Sequence, residues 1–201
     1  MAEDTRVRSF VAVDVASPMR AELQALQARL AALPAEVRWV RPQGLHATVK
    51  FLGAVEKLRL EQVRTALVAA VSHQPSLQLR VRGLSVFPSF RRPRVLWVGL
   101  QGKGLAELAR SVDEALRPLG FAPERRPFTP HITLGRVRGM RGWPSLEAVV
   151  KTHLEEEFGE SRVDCLTVYR STLQPTGALY TPLWTIALGR HKGGTSHGSG
   201  R

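Results

Sequence analysis

The sequence predicts an α/β (α+β) fold built from a duplicated unit, and three observations carry that prediction. Two short strings, His46-Ala47-Thr48-Val49 and His131-Ile132-Thr133-Leu134, share the pattern His-x-Thr-apolar and lie 85 residues apart. The segments around them repeat strand-like and helix-like patterns in the same order, at offsets of 85 or 86 residues. Within each string, residues two apart share one face of a strand, so each histidine sits beside its threonine.

The first half opens with the apolar run Phe10-Val11-Ala12-Val13-Asp14-Val15, which reads as a buried strand. Ser17-Pro18 then supplies an N-cap and a first-turn proline. Leu23, Leu26, Leu30 and Leu33 form the stripe of an amphipathic helix. A Pro/Gly loop at Arg41-Pro42-Gln43-Gly44 leads into a strand from His46 to Leu52, closed by Gly53. Leu60, Val63, Leu67 and Val71 mark a second helix, and Leu77 to Val81 alternates as a half-buried strand.

The second half repeats this order. Arg94 to Leu100 reads as a strand, and Leu105, Leu108, Val112 and Leu116 as a helix face. Prolines 123, 127 and 130 precede the strand that begins at His131. Pro144-Ser145 opens a helix carrying Leu146, Val149, Val150, Leu154 and Phe158, with Gly159 as its stop. Val163, Cys165 and the run to Tyr169 match the strand at Leu77, and a last strand spans about Tyr180 to Leu188. One domain over 1–188 is expected, with half-repeats near 6–90 and 94–188 joined at Arg91-Arg92-Pro93. The Gly/Ser-rich basic tail, 189–201, is expected to be disordered.

Composition narrows the function classes. No apolar run approaches the ~20 residues of a membrane span. The early acids Glu3 and Asp4 argue against a secretory signal, and Cys165 is the only cysteine, which fits a reducing cytoplasm and no internal disulfide. The formal net charge is +12, and 24 of the 29 basic residues are arginine. Such a surface favours phosphate-rich partners.

The paired strings specify a chemistry. In-line displacement at a phosphodiester needs a base for the nucleophile and an acid for the leaving oxygen. Histidine serves either role because its ordinary pKa of roughly 6.5 lies near working pH. His46 and His131 are the catalytic candidates, and Thr48 and Thr133 can donate hydrogen bonds to nonbridging phosphate oxygens. This scheme needs no metal and no cofactor. Lys50 shares the face of His46 and Thr48 by strict alternation and is a candidate phosphate contact. Phe51 and Arg136 occupy the same offset, five beyond their histidines; alternation puts them on the opposite face, so a substrate-binding role requires a bulge or a strand end. His73 and His153 read as surface or capping residues.

The strings Val37-Arg38-Trp39-Val40-Arg41-Pro42, Leu45 to Gly53 and Arg126 to Arg136 resemble those of the 2H phosphoesterases, and most closely the RNA 2′,3′-cyclic phosphodiesterases, also called 2′-5′ RNA ligases. Arg8-Ser9-Phe10-Val11-Ala12-Val13 and the later Ser171-Thr172-Leu173, Gly177 and Tyr180 are similar too, so the resemblance covers roughly residues 6 to 188. It implies a bilobal fold with a pseudo-twofold axis, two antiparallel sheets lining a central groove and helices outside. It also implies hydrolysis of a terminal RNA 2′,3′-cyclic phosphate to a 2′-phosphate, with His46 and His131 as the acid–base pair. Thr48 and Thr133 would contact phosphate, and Phe51 and Arg136 would assist binding. Two alternatives stay open: reversible 2′-5′ ligation of tRNA halves, and a basic RNA-binding module without turnover. The expected partner is RNA ending in a cyclic phosphate, and the expected state is a cytoplasmic monomer. Which histidine donates the proton is open, with His46 favoured as acid and His131 as base.

Overall fold

A computed structural model describes residues 5–124, 127–175 and 177–189. Its elements run β1 (Arg6–Asp14), α1 (Ser17–Ala31), β2 (Val37–Trp39), β3 (His46–Glu56), α2 (Leu60–Val71), β4 (Leu77–Phe87), β5 (Val95–Gln101), α3 (Leu105–Leu116), β6 (His131–Val137), α4 (Trp143–Thr152), β7 (Glu157–Val163), β8 (Cys165–Gln174) and β9 (Gly177–Ala187). The strands form two antiparallel sheets, ordered β3-β1-β8-β9 and β2-β6-β5-β4-β7. Helices α1 and α4 pack on the five-stranded sheet, and α2 and α3 on the four-stranded one. The leucine stripes read from the sequence make these contacts: Leu23, Leu26 and Leu30 of α1, Leu67 of α2, Leu108 of α3 and Leu146 of α4 are buried. No described helix is long and apolar enough to cross a membrane.

The two halves of the sequence interlock. β1 of the first half pairs with β8 of the second, while β4 and β2 of the first pair with β5 and β6 of the second. Each lobe, a sheet with its helices, therefore draws strands from both halves. The Arg91-Arg92-Pro93 connector lies in the turn between the antiparallel partners β4 and β5.

Several local expectations change. Ser17 is the first residue of α1 rather than its cap; Ala16 precedes the helix without a side-chain cap, and its N–H donates to Ser161 Oγ at 2.8 Å. The fourth helix ends at Thr152, and Phe158 and Gly159 lie in β7. That strand, with Ser161 and Val163 as its buried residues, is too polar to show a clear apolar alternation. β2 is only three residues long and gave no periodic signal. Gly189 bridges Pro75, whereas the rest of the expected tail, with His191 and His197, lies outside the described residues.

The histidine strands differ most from ideal alternation. In β3, Ala12 pairs with Thr48 but Val11 pairs with Lys50, so Val49 is an extra residue. In β6, Trp97 pairs with Thr133 but Leu96 pairs with Gly135, so Leu134 is extra. Each bulge exchanges the faces beyond it. A second irregularity follows in β3, where Phe10 pairs with Phe51 and Ser9 with Gly53. Gly53, with φ of 71°, bends the strand there and does not end it, because β3 runs on to Glu56.

The bulge overturns the alternation that grouped Lys50 with His46 and Thr48. Lys50 is turned to the helix-covered face opposite Val11, where it is 2% exposed. Its ammonium donates to Asp113 of α3 and, at 2.8 Å, to the Ala122 carbonyl. In the other half α1 supplies the corresponding contact. Gln27 Nε2 donates to the Leu134 carbonyl at 2.7 Å and to the Val40 carbonyl at 3.0 Å. A polar side chain from a helix thus secures each bulge.

Removing one partner of a buried ion pair leaves an uncompensated charge, which costs about 3–5 kcal/mol. Urea denaturation of Asp113→Leu is expected to show a loss of that order. Adding Lys50→Met should restore most of it, because the charge that Asp113 neutralised is then gone as well.

Candidate active site

The two sheets face one another across a groove of about 1490 Å³, and β3 and β6 approach each other along it. His46, Thr48 and Phe51 of β3 line the groove together with His131, Thr133 and Arg136 of β6. Six of the seven expected site residues therefore meet there; Lys50 touches its rim but is engaged behind the strand. The bulges explain how Phe51 and Arg136 join. They occupy equivalent positions, Phe51 opposite Phe10 and Arg136 opposite Val95, and both are exposed.

His46 is 7% exposed and enclosed by aromatic rings. Phe10 lies 5.0 Å away, Tyr169 stacks at 5.3 Å and Tyr180 meets it edge-on at 5.1 Å. Burial lowers its pKa to about 4, opposed by the Asp14 carboxylate and by the Gln43 backbone, and aided by Arg20. Nδ1 has no well-formed hydrogen bond. Asp14 is the cross-strand partner of His46. Its carboxylate accepts hydrogen bonds from Thr167 Oγ1 at 3.0 Å and from Tyr169 Oη at 2.9 Å, and Arg20 lies 3.5 Å away.

His131 sits in a more open setting, edge-on to Phe87 at 5.0 Å and to Trp97 at 5.8 Å. Its Nδ1 lies 2.7 Å from the Thr129 carbonyl oxygen. A carbonyl can only accept, so Nδ1 carries the proton and Nε2 of the neutral ring keeps a lone pair. Burial lowers this pKa as well, with the Thr129 bond opposing the shift. Both rings are therefore neutral in the empty groove at pH 7, and His131 has its basic nitrogen oriented.

The groove is also built for anions. Arg38 pairs directly with Arg136 across β2 and β6, and both side chains are exposed along the groove, which Arg8 of β1 and Arg41 also line. Like charges directly opposite one another on a sheet are destabilising unless an anion lies between them. Phe51 at 70% exposure and Leu173 at 71% give the same groove an apolar rim, a surface suited to a flat ring.

Sequence reasoning did not pick out Asp14, Arg38, Tyr169 or Trp97. Asp14 left a signal, a charge inside an otherwise apolar strand. The others depend on which strands become neighbours.

A family profile described as LigT like Phosphoesterase matches the chain twice, over residues 13–97 and 98–180. The chain belongs to the LigT-like phosphoesterase family. An RNA 2′,3′-cyclic phosphodiesterase of Methanothermobacter thermautotrophicus is 34% identical over 184 residues, covering 91% of this chain and 100% of the relative. The protein of that name from Archaeoglobus fulgidus is 35% identical over 88% of this chain and 98% of its own. Among solved structures, a Thermus thermophilus protein superposes with a TM-score of 0.78 at 27% identity, over 92% of this chain and 100% of the other. Escherichia coli LigT, in complex with 3′-AMP, does so with a TM-score of 0.74 at 27% identity, over 91% and 98%. This LigT-like phosphoesterase thus shares the overall fold of these solved structures.

The low pKa of His46 has a stability consequence. The unfolded ring takes up a proton as pH falls through roughly 6.5, but the folded ring does so only near 4. Between these values the unfolded state binds more protons, so stability falls with falling pH, by roughly 3 kcal/mol over the window. Denaturation of His46→Gln between pH 7 and 4 should show a shallower acid loss than the parent, the difference measuring the His46 contribution.

Proposed function

We propose that this phosphoesterase hydrolyses the 2′,3′-cyclic phosphate at the end of an RNA to a 2′-phosphate, with His131 as base and His46 as acid. The observation that carries the reading is the pair of equivalent His-x-Thr strands facing one arginine-lined groove, His131 with a free Nε2. The names of the relatives supply the substrate class.

In this scheme His131 Nε2 takes a proton from water, whose oxygen attacks phosphorus. The bond from phosphorus to O3′ breaks, and His46 gives its proton to O3′. The two threonine hydroxyls donate to the nonbridging oxygens, where charge accumulates. His46 must be protonated for this step, yet burial keeps it neutral in the empty groove. The phosphodiester anion offsets that effect, because a nearby negative charge favours the imidazolium. Substrate binding and protonation of His46 are thus coupled. The arginines draw the polyanion in over a longer range.

The test is turnover of a short RNA ending in a 2′,3′-cyclic phosphate. His46→Ala and His131→Ala should each lower kcat/KM by about 10²–10⁴, and the parent product should carry a 2′-phosphate. Near-normal turnover in either variant overturns the two-histidine scheme. A 3′-phosphate product overturns the regiochemistry alone. RNA binding that survives both substitutions, with no turnover in the parent, identifies a binding module instead.

A further inference from the structure

The groove is not symmetric at the level of charge. Across the β1–β3 pair the residue opposite His46 is Asp14; across the β5–β6 pair the residue opposite His131 is Gly99. The neighbouring strands differ in the same way. On β8, Thr167 and Tyr169 stand opposite Ala12 and Phe10. On β4 the equivalent positions are Ser85 and Phe87, opposite Trp97 and Val95. Tyr169 and Thr167 both donate hydrogen bonds to Asp14, and Phe87 has no hydroxyl with which to do the same. Gly99 has no room for any side chain, because a Cβ built there would lie 2.6 Å from the Arg82 carbonyl oxygen.

We infer that Asp14 is a positioning residue that assigns the roles: fixed beside His46 by Tyr169 and Thr167, and unmatched beside His131, it favours the His46 imidazolium and makes that ring the proton donor. The inference rests on the two-histidine reading above and adds to it the residue that decides between equivalent histidines. The rings of Phe10 and Tyr169 beside His46 point the same way, since a cation over ring faces is favoured. The other groups facing His46 are few. Arg20 of α1 opposes its protonation, and it is itself turned toward Asp14 and the Pro42 carbonyl, to which it donates at 2.8 Å. Tyr180 of β9 contributes a ring edge, and the loop before β3 contributes the Gln43 backbone. Among the described residues that bear on the His46 charge, Asp14 is therefore the one carboxylate. Its two hydroxyl donors hold it in place.

Asp14→Asn keeps the shape and removes the charge. The imidazole Cε1–H resonances of His46 and His131, followed by NMR between pH 2 and 8, report each ring separately and do not depend on turnover. The His46 midpoint should fall by about one pH unit or more in Asp14→Asn, with His131 unmoved, since an adjacent opposite charge shifts a pKa on that scale. Cyclic-phosphate hydrolysis at pH 7 should then drop roughly tenfold or more and recover toward acid pH, because each unit of pKa lost reduces the protonated fraction tenfold. Asp14→Glu, which keeps the charge, should hold the His46 midpoint and the pH optimum near the parent values even if kcat falls. An unchanged His46 midpoint, or an equal shift of both histidines, overturns the inference. So does an Asp14→Asn pH–rate profile identical in shape to that of an active parent. A parent with no hydrolysis at any pH overturns instead the functional reading on which the donor role rests.

Discussion

A strand carries its side chains to alternate faces, so one inserted residue exchanges the faces of everything beyond it. In β3 that residue is Val49 and in β6 it is Leu134, at equivalent points just past each threonine. The insertions bring Phe51 and Arg136 to the groove beside the His-x-Thr pairs and turn Lys50 behind the sheet. Each bulge frees backbone or side-chain polarity on a buried face, and each is met there by a helix. Asp113 of α3 takes the Lys50 ammonium, and Gln27 of α1 takes the Leu134 carbonyl. Unmet, either group would carry a desolvation penalty, so these two contacts are the condition for the site's shape.

The same site balances burial against charge. Enclosing His46 in Phe10, Tyr169 and Tyr180 excludes water and fixes the ring, but it also drives off the proton that an acid must carry. Asp14 opposes that effect from the protein side, and a phosphate opposes it from the substrate side. His131 carries no such conflict, because a base is needed in its neutral form. Its bond to the Thr129 carbonyl selects the useful tautomer. Two rings with equivalent backbone positions thus have different surroundings, which in the proposed scheme suit one to give a proton and the other to take it.

Duplication explains the equivalence, and interlocking explains why it is productive. Because β4 and β8 each join the sheet of the other half, neither half completes a sheet alone. The two histidine strands are consequently placed on facing sheets of one body. Arg38, on the short β2 that edges β6, lies next to Arg136 and extends the anion surface.

The repeat of His-x-Thr strings, the order of elements and the helix stripes were legible because they are periodic properties of the chain itself. Leu67 and Leu108 are buried where their spacing placed them, and each His faces the groove with its Thr. Alternation failed at Lys50 and underrated Phe51 and Arg136, since a bulge is a property of the pairing between strands and not of either strand. The short β2 and the polar β7 were missed because too few of their residues are buried to leave a pattern. By itself the sequence determined a duplicated α/β protein with two equivalent His-x-Thr strands. Only the tertiary structure decided which residues stand beside them. Asp14 meets His46, and Gly99 meets His131, through hydrogen-bond register between segments more than 30 residues apart, and no local pattern encodes that register.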